Sequence, residues 1–379
     1  MQISIEQETL SKAIGHVVGV VDKRGTLPIL SHCLLQTDGN GVFISATDLE
    51  IGFRGFYPAE VTKPGDLTVP ADFFNKLIKD LPKGPVALVG TDNAGLQIQT
   101  GDSRYRLNGL PGEQFPSLPE AAGASLVEVE SRLLKEMISK TIFSAVGGNN
   151  DLPSNLSGVF WEEVEVEANN HLRLASTDGH RLTLIERPLP EGEQLNLGKG
   201  ILVPCKGMRE ICRFLEGQEK VTLGLGEKTL TVQAADKHLS VRLLDRKFPD
   251  YRRIIPEGFA FRFSINRREL NNTLKRMAQL SSDRFKGMIF NLTADSVEVT
   301  FADPEVGEGR DKVPVILESG VAAQLPLEVG FNGRYLMEPL QVIPGDTVVL
   351  EINDRDHPCR LMGKDDHHYF NMIMPMSSI

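Results

Sequence analysis

The stretch Thr177-Asp178-Gly179-His180-Arg181-Leu182 sets a hydroxyl, a carboxylate, an imidazole and a guanidinium almost side by side. It lies between the alternating runs Leu172-Arg-Leu-Ala and Leu182-Thr-Leu-Ile. Asp-Gly between two such runs signals a tight turn joining two strands. A turn at a strand end holds its side chains rigidly, and rigid loops on sheets are where binding residues tend to sit. A solvated hairpin corner has the same composition, and the stretch alone decides nothing. A second concentration near the end, His357, Cys359, His367 and His368 with Asp365 and Asp366, holds the residue types that bind metals. Its spacing matches no standard zinc arrangement. A metal-dependent enzyme built on that region is the alternative reading of the chain. Asp48, Asp178 and Asp303 fall at similar places in what proves to be a repeated plan, which argues for structural turns over catalysis. No phosphate-cradling glycine loop and no nucleophile elbow is present.

The elements that must position these groups follow from pattern. The 379 residues suggest two or three domains. There is no apolar run of membrane-spanning length. The start, Met-Gln-Ile-Ser-Ile-Glu-Gln-Glu, has neither a basic nor an apolar leader region. Four cysteines (Cys33, Cys205, Cys212, Cys359) are scattered with no paired spacing, as expected of reduced thiols in the cytoplasm. A net charge of −10 argues against wholesale adhesion to nucleic acid but not against a segregated basic face.

One plan occurs three times. Ile3-Ser-Ile-Glu, Val127-Glu-Val-Glu and Phe261-Arg-Phe-Ser-Ile are alternating strands. Each leads into an amphipathic helix: Leu10, Ile14, Val17, Val18 and Val21; then Leu134, Met137, Ile138 and Ile142; then Leu270, Leu274 and Met277. Asn266 with Glu269 has a capping-box pattern. A second helix closes each copy, marked by Phe74, Leu77 and Ile78, by Met208, Ile211 and Leu215, and by Tyr335, Leu336 and Leu340. Leu10 to Leu270 and Val69 to Val329 span the same number of residues, so the first and third copies share a register, while the second carries insertions. The remaining alternating runs, such as Leu96-Gln-Ile-Gln and Val297-Glu-Val-Thr-Phe, have one apolar face and predict antiparallel strands. The expected fold class is α+β: three repeated domains over 1–122, 123–258 and 259–379, each an antiparallel sheet with two helices on one face. Linkers are expected at Pro119–Ala124 and Pro256–Gly258.

The polar faces of the helices are biased to cations: Lys12, Lys76, Lys79, Arg132, Lys135, Lys140, Lys206, Arg209, Arg213, Arg267, Arg268, Lys275, Arg276 and Arg334. For one helix this reads as a solvated face with ion pairs. Over six helices a shared phosphate-facing surface is the competing reading. Asp72 stands where a basic residue would suit DNA and is expected to be the N-cap of the second helix. A sequence-specific DNA-binding protein would need a recognition helix and appreciable affinity for linear duplex, and the acidic balance argues against it.

The chain resembles the β subunit of bacterial DNA polymerase III, the sliding clamp. The marks are Thr26-Leu-Pro-Ile-Leu30, Thr47-Asp-Leu-Glu50, Thr177-Asp-Gly-His-Arg-Leu182, Phe248-Pro-Asp-Tyr-Arg-Arg253, Val329-Gly-Phe-Asn332 and Met374-Pro-Met376. They run over essentially the whole chain. The resemblance implies a head-to-tail homodimer that closes a ring around duplex DNA without reading its sequence. It implies a processivity factor rather than an enzyme, with no cofactor. It also implies partners, namely the polymerase III α subunit, the clamp loader, other polymerases and repair proteins, which insert short linear peptides into a pocket.

Carried over by resemblance, that pocket comprises Leu156, Thr177, Gly179, His180, Arg181, Leu182, Pro249, Ile254, Met372, Met374, Pro375 and Met376. The methionines would form an adaptable apolar surface, with His180 and Arg181 orienting polar groups of the peptide. Core-facing strand positions are the other reading of the methionines. DNA contacts are implied at Arg24, Asn149, Asn150 and Lys206, and a dimer contact between Tyr105 and Leu107 on one side and Leu280 and Arg284 on the other. Ser154 and Asn155 depart from a family pattern that often carries aromatic residues there, and offer no base-stacking surface.

Overall fold

The computed structural model describes residues 1–23, 25–118, 125–146, 155–280 and 287–376. The first repeat runs β1 (Gln2–Glu6), α1 (Gln7–Val17), β2 (His32–Asp38), β3 (Gly41–Thr47), β4 (Ile51–Pro58), β5 (Glu60–Lys63), β6 (Asp66–Pro70), α2 (Ala71–Asp80), β7 (Pro85–Gly90), β8 (Gly95–Thr100) and β9 (Ser103–Asn108). The second runs β10 (Ser125–Glu130), α3 (Ser131–Thr141), β11 (Gly158–Val166), β12 (Asn169–Thr177), β13 (Arg181–Pro188), β14 (Ile201–Pro204), α4 (Cys205–Phe214), β15 (Lys220–Leu225), β16 (Thr229–Ala234) and β17 (Lys237–Arg242). The third runs β18 (Phe261–Asn266), α5 (Arg267–Ala278), β19 (Gly287–Leu292), β20 (Ser296–Asp303), β21 (Gly307–Ser319), β22 (Leu327–Asn332), α6 (Gly333–Val342), β23 (Thr347–Ile352), β24 (Cys359–Gly363) and β25 (Asp366–Ile373). Each repeat thus has the expected strand–helix opening and a second strand–helix pair, and every strand pairing is antiparallel.

The sheets do not stop at the repeats. One five-stranded sheet, β5-β1-β7-β8-β9, belongs to the first repeat alone. An eight-stranded sheet continues β10-β15-β16-β17 of the second repeat into β4-β3-β2-β6 of the first, through Lys237↔Gly55 to Val241↔Ile51. A twelve-stranded sheet continues β14-β11-β12-β13 into β25-β24-β23-β18 of the third repeat and on to β21-β20-β19-β22. Backbone contacts accordingly gather into two compact units. One is Met1–Lys135 with Pro190–Leu197 and Lys206–Asp245; the other is Glu136–Leu189 with Gly198–Cys205 and Arg246–Ile379. Fusing strands edge to edge satisfies backbone groups that an isolated domain would leave open.

In the first unit the apolar face of α1 (Leu10, Ala13, Ile14, Val17) and that of α2 (Phe74, Ile78) are fully buried. His16 stacks on Phe53 at 5.4 Å, and Phe53 meets Phe214 edge-on at 6.2 Å. In the second unit α5 buries Leu270, Leu274 and Met277, and α6 buries Leu336 and Leu340. Asn266 caps α5 as expected, its side chain accepting from the backbone N–H of Arg268 and Glu269. The expectation for Asp72 is corrected. The helix begins at Ala71 with Pro70 as N-cap, and Asp72 sits in the first turn, bridging Lys23 and Lys76 at 2.8 Å each.

Candidate functional site

The turn between β12 and β13 is fixed from within. The Thr177 hydroxyl donates to the Arg181 carbonyl at 2.6 Å and accepts from the Gly179 N–H at 3.1 Å. Asp178 Oδ1 accepts from the N–H of His180 and of Arg181. The backbone at residue 179 has φ +91°, a left-handed conformation that glycine adopts without strain. The first repeat builds the same device. Thr47 donates to the Ile51 carbonyl and accepts from Leu49 N–H, and Asp48 Oδ1 takes the N–H of Glu50 and Ile51. Leu49 stands at the glycine's place with φ 75°. In the third repeat Asp303 Oδ1 accepts from Glu305 N–H. The three aspartates therefore hold turns, as their repeated positions imply.

Arg181 is where the expectation of a peptide-orienting side chain needs correction. It is buried, and its guanidinium is fully engaged inside the fold. It donates to Asp178 Oδ2 at 3.0 Å, to the Phe143 carbonyl at 2.6 Å and to Glu338 of α6. It also lies over the Tyr335 ring at 4.5 Å and near Phe143 at 5.4 Å. Glu338 in turn binds Arg334 at 2.7 Å. A guanidinium held by two carboxylates and a carbonyl positions the wall of a site rather than meeting a ligand. His180, exposed like Gly179 beside it, stacks on Tyr335 at 6.3 Å.

The end of β25 lies along the same turn. Arg181 pairs with Ile373 and Leu182 with Met372, and Met374 N–H donates to the His180 carbonyl at 2.9 Å. Met376 N–H donates to Gly330 of β22, also at 2.9 Å. Leu182 and Met372 are buried, so they belong to the core and not to an accessible pocket surface. Thr177 is buried too, its hydroxyl occupied by the turn. Met374 and Met376 are each 38% exposed, on backbone tied at both ends. Gly179 and Pro249 are exposed, Leu156 and Pro375 are half-buried, and Ile254 is 44% exposed at the end of the short helical turn Tyr251–Ile254. That turn is anchored by the Tyr251 hydroxyl and Arg252, both on Glu162 of β11. The exposed set is thus His180, Gly179, Pro249, Ile254, Met374 and Met376, with Leu156, Pro375 and Tyr335 half-buried. From the sequence Tyr335 reads as a position of the amphipathic helix rather than of the site, and Glu338 and Phe143 carry no signal of their own. The Arg334–Glu338 spacing of four on a helix is a visible signal, but the link to Arg181 spans 157 residues.

The DNA and dimer expectations fall partly outside the described residues, which exclude Arg24, Asn149, Asn150, Ser154 and Arg284. Asn155 donates to the Lys247 carbonyl at 3.2 Å. Lys206 Nζ is engaged by the Val20 carbonyl at 3.0 Å and by Asp48. Lys140, expected on a polar helix face, is buried between Glu136 and Asp366 and lies 4.8 Å from the Tyr369 ring centre. Lys76, Lys135, Arg213, Arg268, Arg276 and Arg334 pair with acidic neighbours. Arg267 donates to the carbonyls of Leu340 and Gly345. Among the described residues, Lys12, Lys79, Arg132, Arg209 and Lys275 form no salt bridge, and all five are exposed. Tyr105, 40% exposed, and Leu107 lie on β9, the edge of its sheet, and Leu280 is half-buried just beyond α5.

The His/Cys region is dispersed by the fold. Cys359 is buried in β24, where burial pushes its thiol up to about 12. His357 bonds Asp354 and His368 bonds Glu186, each at 2.9 Å, and among the described residues no group of three or more His, Cys, Asp or Glu is placed to hold a metal ion.

Comparison with known proteins covers the whole chain. Residues 1–119, 128–250 and 252–377 match the models of the N-terminal, central and C-terminal domains of the DNA polymerase III beta subunit. A beta sliding clamp of Pseudomonas putida is 32% identical over 99% of this chain and 100% of its own length. The crystal structure of a Caulobacter crescentus beta sliding clamp superposes with a TM-score of 0.90 at 30% identity, covering 100% of both chains. A sliding clamp of Bartonella birtlesii solved bound to griselimycin gives 0.91 at 26% identity, again over 100% of both. With all three domain models matched in order along one chain, this protein belongs to the DNA polymerase III beta subunit family, the bacterial beta sliding clamps.

Proposed function

We propose that two copies of this chain, joined head to tail, encircle duplex DNA and tether the replicative polymerase to it. The three repeats, over 1–122, 123–258 and 259–379, act as the domains of a ring, non-enzymatic and cytoplasmic. No helix among the described residues is long and apolar enough to cross a membrane. Family membership supports the clamp reading. The observation that carries its tethering half is the joint made by the Thr177–Arg181 turn, α6 and the backbone of Met374–Met376, which leaves two methionines and His180 exposed on a rigid base. Flexible thioethers on fixed backbone suit many apolar peptides, as a hub for the α subunit, the clamp loader, other polymerases and repair proteins requires.

For DNA, the exposed cations that form no salt bridge among the described residues, Lys12, Lys79, Arg132, Arg209 and Lys275, supply weak contacts to phosphates with no base readout. Arg24, Asn149 and Asn150 remain proposed contacts, and Lys206 joins them only by leaving Asp48. For the dimer, Tyr105 and Leu107 on the β9 edge face Leu280 and Arg284 of a second copy.

The test of tethering is a fluorescence titration of a Gln-Leu-x-Leu-Phe-type peptide against the intact protein and a Met374→Ala/Met376→Ala variant. Truncation before Met372 is avoided, because it would remove buried strand residues. Saturable binding, weakened at least about tenfold by the double exchange, is expected. Equal affinity for both proteins would remove this surface from the account.

A further inference from the structure

We propose that the first compact unit carries a separate small-molecule site, on the sheet face under residues 115–118, that takes an amphipathic monocarboxylate. The site is a cavity of about 330 Å³, and none of the residues assigned above to peptide, DNA or dimer contacts lines it. Its floor is one row across four strands. Leu34 of β2 pairs with Ser45 of β3, Ser45 with Arg54 of β4, and Arg54 with His238 of β17. Beside this row Gly52 pairs with Ser240, and the missing side chain opens the hollow. Phe115, Pro116 and Leu118, following the short helical turn Gly112–Gln114, supply an apolar cover.

The electrostatics select the ligand. Arg54 is exposed, and among the described residues it has no carboxylate partner and no hydrogen bond. Its guanidinium is nevertheless held in place, stacked on the Phe43 ring at 4.1 Å, and Phe43 is itself braced edge-on by Phe56 at 5.1 Å. Stacking fixes the plane of the guanidinium and leaves its edge free for a carboxylate. Ser45, 4% exposed, makes no side-chain hydrogen bond among the described residues and stands next to Arg54 in register. One guanidinium, with the neutral polar groups of Ser45, Ser117 and Gln36 around it and the Ser240 hydroxyl already donated to the Gly52 carbonyl, matches a single negative charge. The apolar cover and the small volume, at the lower end for ligand pockets, match an aromatic or short aliphatic body. In a chain of net charge −10, an Arg without an acidic neighbour offers only local attraction, which favours a small anion over an extended acidic surface.

The probe is 4-phenylbutyrate, compared with its neutral amide, 4-phenylbutyramide, in ligand-observed NMR titrations of the full-length protein. The acid is expected to saturate at millimolar concentration or below, and the amide to bind roughly tenfold more weakly. Arg54→Gln should bring the acid down to the amide's level, and Ser45→Leu, which fills the floor, should weaken both. Binding of the Gln-Leu-x-Leu-Phe peptide serves as the control for folding and should be unchanged in both variants. The peptide should not displace the acid. Equal binding of acid and amide, an unaffected Arg54→Gln variant, displacement by the peptide, or no saturation of the folded protein would each overturn the proposal.

Discussion

Arg181 and Glu338, 157 residues apart, form an ion pair, buried on the arginine side and half-buried on the glutamate side, that joins the β12–β13 turn to helix α6. With Asp178 on its other side, the Arg181 guanidinium lies between two carboxylates, of which Glu338 also binds Arg334. Removing it leaves Asp178 with backbone N–H partners alone and Glu338 with Arg334 alone, and breaking a partly buried pair of this kind costs about 2–3 kcal/mol. Arg181→Met should therefore lower the denaturation midpoint sharply. Glu338→Gln keeps a hydrogen-bond acceptor and should cost less stability, while loosening the wall against which His180 stacks on Tyr335. Its signature is a several-fold loss of peptide affinity at little change in melting temperature. Thermal melts beside peptide titrations separate the two effects, and unchanged peptide affinity in Glu338→Gln would deny the wall this role.

A second, partly buried network should make stability acid-sensitive. Arg187 bonds Asp366 and Glu136, and Lys140 bonds the same two carboxylates. Burial alone would raise the pKa of Asp366 and of Glu136, but the Arg187 and Lys140 bonds hold both below the ordinary range. A depressed carboxylate stabilises the fold above its unfolded pKa, near 4, and loses that contribution as pH falls through the lower folded value. Asp366→Asn should thus be destabilising by a few kcal/mol near pH 7, and the gap to the parent should narrow below about pH 4. Denaturant titrations at both pH values give the comparison. A gap that stayed constant with pH would show that packing, not charge, carries the effect.

His16 acts in a higher window. Burial, with Lys237 and Arg213 adding positive charge nearby, depresses it to about 4. Between about pH 6.5 and 4 the unfolded chain takes up a proton that the folded chain refuses, so stability falls as pH drops through that range. Replacing the imidazole by a ring that cannot titrate, His16→Phe, keeps the stack on Phe53 and should flatten this slope. Denaturation midpoints at about pH 7 and about pH 5 should differ in the parent and converge in the variant.

Phosphate contacts should show in salt dependence. Each cation lost from the DNA-facing set lowers the slope of log affinity against log salt by about one. Arg209→Ala and Lys275→Ala are expected to do so, while Lys206→Ala should have a smaller effect on DNA because its ammonium is already held by Asp48 and Val20. Filter-binding or anisotropy at several salt concentrations measures the slopes. A full-unit change for Lys206→Ala alone would reverse this ranking.

The features legible in the sequence were local ones. Alternation marked the strands, the helix faces named most of the buried residues, and the Asn266 cap and the three aspartate turns stood at readable spacings. What escaped was set by distant partners. Lys140 reads as a polar-face cation until Asp366, 226 residues away, arrives beside it. Arg181 and Met372 read as pocket surface because their burial comes from α6 and from the pairing of β13 with β25. Asp72 looked like a cap, but Pro70 ends β6 at the helix start and leaves Asp72 inside the first turn. The sheets that cross repeat boundaries were likewise hidden, since edge pairing between β17 and β4 has no local signature.

The most direct test of the central claim is retention on DNA before and after the ring of DNA is opened. Protein assembled by a clamp loader on a nicked circular plasmid is separated by gel filtration, then the plasmid is cut once with a restriction enzyme. A chain that encircles duplex DNA and holds it by weak phosphate contacts stays with the circle and is released on linearisation. Protein that remained bound to the linear DNA at the same salt would be held by direct affinity, and the clamp account of this chain would be contradicted.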